Sequence, residues 1–135
     1  MTLSFTSTLY LTPVLDVLLS QVPKRWQAEV RLGLQEALVN AARHGNRMDV
    51  EKQISIQYSI TSERCEWIIA DQGCGFSPPD SIEVIMNDPL CCERECGRGL
   101  FILHQIFDIV QWNSQGTELR LCKQVSNVPR DPLVC

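Results

Sequence analysis

The sequence predicts an α+β fold, a two-layer sandwich in which helices cover one face of a mixed, mostly antiparallel sheet. Three observations predict it. Segments that alternate apolar and polar residues are joined by short polar links, as in hairpins. Other segments repeat apolar residues every three or four positions, as in amphipathic helices. No internal repeat, low-complexity tract or linker divides the 135 residues. Helices and antiparallel strands in such a chain bury their apolar faces against each other in two layers. With 44% hydrophobic residues the chain can build one core without disulfides or structural metal. A single domain is expected over residues 1–125, followed by a loose tail, 126–135, that holds two prolines and no periodicity.

The elements follow in order. Residues 3–11, LSFTSTLYL, place Leu3, Phe5, Leu9 and Leu11 on one side and predict a first strand. Thr12 and Pro13 suit the cap and first turn of a short helix, VLDVLLS, that ends before Pro23. From Pro23 to about Arg43, Trp26, Val30, Leu34, Ala37, Leu38 and Ala41 recur at helical steps, and Gly45 closes a long helix. Ile54, Ile56, Tyr58 and Ile60 alternate with Ser and Gln; after a polar link at 61–64, the run Cys65 to Ala70 leads into Asp71 as the return strand of a hairpin. Residues 71–79 contain two glycines and two prolines, and 81–96 mix a short helical pattern with polar and cysteine-rich sequence, which reads as a lid. Gly97-Arg98-Gly99 opens a helix carrying Leu100, Leu103, Ile106 and Phe107, and a second hairpin joins 109–112 to 117–122 through a turn at Ser114-Gln115-Gly116.

Composition excludes several classes of function. Twelve Lys and Arg against sixteen Asp and Glu give a net charge of -4, with no basic run to neutralise a phosphate backbone, so direct nucleic-acid binding is not expected. No apolar stretch approaches the roughly 20 residues of a membrane span, and the start lacks the features of a signal peptide. A cytoplasmic protein without membrane contact is expected. Seven cysteines at irregular spacing fit a reducing compartment better than a disulfide framework. Cys91, Cys92 and Cys96 cluster, but without paired C-x-x-C spacing or nearby histidines they read as free thiols in a loop rather than as a zinc site.

Three elements can carry chemistry. Glu36 and Asn40, in EALVNAARHGN, lie four residues apart and share a helix face. Their Cβ atoms would stand roughly 5–6 Å apart, turning a carboxylate and an amide oxygen the same way. Oxygen ligands suit Mg²⁺, which binds through one or two protein groups and substrate phosphates. Asn40 could therefore hold the metal while Glu36 acts as general base, although an isolated E-x-x-x-N more often lies on the solvated face of an amphipathic helix. Asp71-Gln72-Gly73-Cys74-Gly75-Phe76 follows an apolar strand, where a carboxylate could accept a hydrogen bond from an adenine amino group and the glycines allow a flat ligand to approach. A plain D-x-G turn fits as well. Gly97-Arg98-Gly99-Leu100 starts a helix, whose free N–H groups attract anions, though a lone G-x-G also fits an ordinary glycine-rich helix entry.

The order E-x-x-x-N, then D-x-G-x-G-F, then G-x-G-L, then Gly116-Thr117 before the last strand resembles the GHKL ATPase superfamily, with its Bergerat ATP-binding fold. The strings NAARHGN and GRGLFILHQIFD, and the short lid, most resemble the anti-sigma-factor serine/threonine protein kinases. The resemblance runs from about residue 3 to 123. It implies that ATP and Mg²⁺ are cofactors, that Asn40 ligates Mg²⁺ and that Glu36 is the catalytic base. Asp71 would bind the adenine amino group, with Gly73, Gly75 and Phe76 beside it and Thr117 near the base. Gly97, Arg98, Gly99 and Leu100 would line the phosphates. Arg94 and Arg98 are both candidates for the γ-phosphate contact, since the family's basic residue before the second glycine box is here offset, with Glu95 next to it. Arg43 and His44 follow the N-box, and for His44 a capping role at the helix end is the plainer assignment.

The partners implied are a small STAS-type anti-sigma-factor antagonist as substrate and a sigma factor, with pairing into a homodimer through the sheet or N-terminal region. Transcription would be controlled by the switch between these partners. An ATP-binding switch with little or no kinase activity is the alternative. A histidine-kinase catalytic domain acting on a phosphoacceptor helix is a third reading.

Overall fold

In the computed structural model the described residues are 1–73 and 95–125, with the backbone alone for 95–100. Strand β1 (Thr2–Thr6) is followed by helices α1 (Thr12–Leu19) and α2 (Lys24–Val39), and α2 runs on into a π-helical turn, Asn40–Gly45. Strands β2 (Gln53–Ile60) and β3 (Arg64–Ala70), helix α3 (Glu95–Ile106) and strands β4 (Ile109–Trp112) and β5 (Glu118–Gln124) complete the described chain. The strands form one sheet in the order β1-β2-β3-β5-β4, and every pairing is antiparallel. The α+β architecture read from the sequence is the one observed.

Register explains how one face became the core. Ile56 lies opposite Ile69, and Trp67 lies between Tyr58 and Leu121. Because side chains alternate across a strand, these residues point the same way. Ile54, Ile56, Trp67, Ile69, Leu119 and Leu121 are all buried, together with Val30, Leu34 and Leu38 of α2 and Leu103 of α3. Phe107, just past α3, meets Trp67 edge to face, with ring centroids 5.8 Å apart. The intervening residues Ser55, Gln57, Ser59, Glu66 and Arg120 take the opposite face, where Arg120 donates to Glu66 at 3.0 Å. Lys123 is the exception on the helix-facing side. Its ammonium is buried, and it donates to Glu29 Oε1 at 3.1 Å and to the Ile106 carbonyl at 2.8 Å while lying 4.6 Å from the Trp26 ring centroid.

Three local expectations need correction. The first strand stops at Thr6 rather than at residue 11. Ser7 turns inward, and both its N–H and its hydroxyl donate to the Lys52 carbonyl, at 3.1 and 3.0 Å. Leu9 and Tyr10 are thereby left exposed, Tyr10 by 74%. Leu11 is instead buried as the residue that precedes α1, and its carbonyl accepts the Leu15 N–H at 2.8 Å. The cap of α1 is therefore Leu11 and not Thr12, and no side chain bonds there. Burial of an apolar cap fixes the chain's entry into the helix, much as a hydrophobic staple does.

The long helix does end at Gly45, but its last six residues, Asn40–Gly45, form a π turn instead of continuing the α-helix. Gly45 does not close it in a left-handed conformation; the left-handed residues are Arg47 (φ 52°) and Met48 (φ 60°). Each costs about 1–2 kcal/mol relative to a right-handed residue. The turn before them has widened, so that Asn46 N–H reaches the Ala41 carbonyl five residues back at 2.8 Å, and Met48 N–H reaches the Ala42 carbonyl at 2.7 Å. Segments of this kind are frequent at functional sites.

Candidate functional site

Helix α2 presents Glu36 and Asn40 half-buried, between the buried Ala37, Leu38 and Ala41. The Asn40 N–H is shared between the carbonyls of Ala37 and Glu36, at the point where α2 passes into the π turn. Arg43 is half-buried and His44 exposed within that turn. Gly45 ends it against the Asp71 carboxylate, with so little space that a Cβ on Gly45 would overlap the carboxylate. Only glycine lets the helix end approach so closely.

Asp71 emerges directly from β3. Its N–H donates to the Thr117 carbonyl at 2.9 Å, which extends the β3–β5 ladder by one rung. Its Oδ1 accepts the Gly73 N–H at 2.8 Å. Gly73 packs so tightly on the Gly45 carbonyl that it too has no room for a Cβ. Burial pushes the Asp71 carboxyl above its ordinary value, against the Gly73 N–H and the charge of Lys52, which pull it down. Thr117 is held in turn by Asn113: its N–H donates to Oδ1 at 2.9 Å, and its hydroxyl accepts from Nδ2 at 3.0 Å.

Of the residues singled out in the sequence, Asp71, Gly73 and Thr117 are thus brought together at one end of the sheet, beside the end of the helix that carries Glu36 and Asn40. Gly97, Arg98, Gly99 and Leu100 fall in the first turns of α3, which begins at Glu95, two residues before the predicted start. The backbone N–H groups free for an anion are those of that first turn. Gly75, Phe76 and Arg94, and most of the predicted lid with Cys91 and Cys92, lie outside the described residues.

Sequence reasoning passed over Asn46. It is fully buried, yet its carboxamide joins three separate segments. Nδ2 donates to Ser7 Oγ at 2.9 Å and to the Gln53 carbonyl at 3.0 Å, and Oδ1 accepts the Gln72 N–H at 2.7 Å. The one signal was an Asn after the Gly of a helix end, which reads as an ordinary terminator.

This arrangement, with a helix-borne acid and amide, an aspartate at a strand end and a glycine-rich helix start, defines a class. Residues 13–123 match the histidine kinase-like ATPase domain, and the chain belongs to that family. Within it, the chain is similar to serine-protein kinase RsbW of several bacteria: 27% identical over 89 residues to that of Bacillus licheniformis, 26% over 103 to that of Oceanobacillus iheyensis, and 22% over 111 to that of Bacillus subtilis. These matches take in 62%, 73% and 73% of this chain, and 54%, 65% and 64% of the respective relatives. The chain therefore spans between about half and two thirds of the length of the relatives it matches. In fold it is similar to the mycobacterial sensor histidine kinase MprB, with a TM-score of 0.51 at 17% identity over 92% of this chain and 96% of that one.

The donor set fits the nucleotide and cation of such a domain. Asp71 offers a half-buried carboxylate between close-packed backbones, suited to a flat base with an amino group. Among the described residues no three His, Cys, Asp or Glu side chains group to hold a metal ion. Asn40 offers one amide oxygen, a donor type that Mg²⁺ accepts beside phosphate oxygens and water.

Proposed function

We propose that this chain is an ATP-dependent serine/threonine protein kinase that also acts as an anti-sigma factor, phosphorylating a small STAS-type antagonist in a partner switch that controls transcription. The observation that carries the nucleotide part is the Asp71 carboxylate, held by the Gly73 N–H and the abutting Gly45 on a backbone whose own N–H donates to the Thr117 carbonyl. Support for the kinase part comes from the Glu36–Asn40 spacing and from the similarity to serine-protein kinases RsbW.

ATP with Mg²⁺ would supply the phosphoryl group and much of the charge neutralisation. The chain's own residues position and deprotonate, which is most of what phosphoryl transfer asks of a protein. Asp71 accepts a hydrogen bond from the exocyclic amine of the base. Asn40 offers its amide oxygen to the cation. Glu36 takes the proton from the attacking Ser or Thr hydroxyl. The first turn of α3, with Gly97 and Arg98, offers N–H groups and a cation to the phosphates, Arg94 being the other candidate cation. No helix among the described residues is long and apolar enough to cross a membrane, and we place the switch in the cytoplasm. Exposed Leu9 and Tyr10 are the residues we assign to pairing of two copies.

A non-catalytic ATP-dependent switch is the second reading, favoured by an acidic residue, Glu95, as the first residue of α3, in the turn we assign to the phosphates. Incubation with Mg²⁺, γ-labelled ATP and candidate antagonists separates the two. Acid-stable label on one antagonist, lost in Glu36→Gln and Asn40→Ala, is the expected result. ATP binding without transfer selects the switch, and absence of ATP binding removes both.

A further inference from the structure

We infer that Asn46 is a positioning residue for the Asp71 carboxylate, and that through Asp71 it sets the preference for adenine over bases without an exocyclic amine. This rests on the nucleotide reading above and extends it to a residue that touches no ligand.

Asn46 is the most heavily bonded buried polar side chain near the site. Both N–H groups of its amide and one acceptor position of its oxygen are used, each on a different segment: the end of β1 at Ser7, the start of β2 at Gln53, and the backbone of Gln72. Ser7 is itself buried, and its hydroxyl donates a hydrogen bond to the Lys52 carbonyl, so the Ser7 oxygen is oriented to accept from Asn46. The carboxamide is therefore fixed in one sense, with its oxygen towards Gln72.

Gln72 directly follows Asp71. Asp71 is thus clamped on both sides, its own N–H on the Thr117 carbonyl at 2.9 Å and the next N–H on Asn46 Oδ1 at 2.7 Å. The Gln72 side chain adds a second tie to the same segment, accepting the Gln53 N–H at 2.7 Å. Asn46 also follows Gly45, the residue against which the carboxylate packs. One side chain therefore fixes both the strand end that carries the carboxylate and the helix end that walls it. Removing the amide takes the acceptor from the Gln72 N–H and leaves that segment to the Gln72 side chain and the bonds to Thr117 and Gly73, so that the carboxylate shifts from its place. An error of about 1 Å in such a group is enough to lose most of a directional contact. The first turn of α3 lies on a separate element, and Asn40, at the opposite end of the π turn from Asn46, is held by its own N–H on the Ala37 and Glu36 carbonyls rather than by this tie.

The test compares binding of ATP and inosine triphosphate, which lacks the exocyclic amine, to the full chain and to Asn46→Ala and Ser7→Ala, with circular dichroism to establish folding. Wild type is expected to prefer ATP. In Asn46→Ala, ATP affinity should fall about tenfold and inosine triphosphate affinity less than about threefold, so that the preference collapses. Ser7→Ala, which leaves Asn46 in place but removes the acceptor that orients it, should shift the same ratio by about threefold, and it decides the matter if Asn46→Ala does not fold. A purely structural role would weaken both nucleotides by one factor. Equal losses, or an unchanged ratio in the folded variants, would overturn the inference. Wild type binding neither nucleotide would instead remove the nucleotide reading itself.

Discussion

Trp67 and Asn46 both have no exposed surface, and they are held in opposite ways. Trp67 sits on the helix-facing side of the sheet among Leu121, Tyr58 and Phe107, and its indole Nε1 is buried with no hydrogen-bond partner among the described residues. The area it removes from water outweighs that unpaired N–H, since apolar burial contributes about 25 cal/mol per Å² without regard to direction. Asn46 removes little apolar area, but every bond it makes has one partner and one geometry. The apolar layer therefore sets how stable the chain is, and the polar corner sets where Asp71 points. Damage to the two should separate in the laboratory.

The largest stability loss is expected in the layer. Trp67→Ala should cost about 3–5 kcal/mol, read as a lower urea midpoint, through lost transfer energy and the cavity left behind. A loss below about 1 kcal/mol would mean that the layer collapses around the gap and that the contrast is overdrawn. Gly45→Ala probes the corner. Its methyl would drive the Asp71 carboxylate off the Gly73 N–H, at a stability cost of about 1–3 kcal/mol typical of overpacking. ATP affinity should drop at least about tenfold, measured by titration calorimetry under conditions where the variant is folded.

The smallest effect has the opposite sign. Because burial raises the Asp71 carboxyl, the folded chain holds that proton more readily than the unfolded chain, and ionisation at neutral pH opposes folding. Asp71→Asn retains an acceptor for the Gly73 N–H without the charge. It should melt slightly above wild type at pH 7. The gap should close as pH falls through the raised value and vanish below the ordinary aspartate value of 3.8. ATP binding should nonetheless suffer. A variant less stable than wild type at neutral pH would show that the Gly73 N–H and Lys52 outweigh the burial.

What was legible in the sequence follows the same division. Periodicity reports burial, so β2, β3, α2, α3 and the second hairpin stood within a few residues of their positions, and the order of the acidic and glycine boxes singled out Asp71, Gly73 and Thr117, which the fold brings to one end of the sheet. One-to-one pairing leaves no periodic trace. The alternation LSFTSTLYL runs straight past Ser7, because a Ser on a strand's pattern looks the same whether it faces solvent or closes on Lys52. Lys123 was hidden for a related reason: on β5 it takes an inward position that alternation assigns to an apolar residue, and only the fold brings Glu29, Ile106 and Trp26 to it. Asn46 was hidden because its partners are 39, 7 and 26 residues away along the chain.

The π turn gives the segment from Asn40 to Asn46 a fixed length as well as a composition. Successive residues of an α-helix are rotated by about 100° around its axis. Deleting one residue between them would return the turn to α-helical spacing and swing Asn46 away from Ser7, Gln53 and Gln72, while Glu36 and Asn40 stayed in place. The acid and amide would remain aligned on their helix and the aspartate would lose its support. Exchanging the exposed His44 for another side chain leaves that phase untouched, so the stretch tolerates spelling changes where it does not tolerate a missing letter.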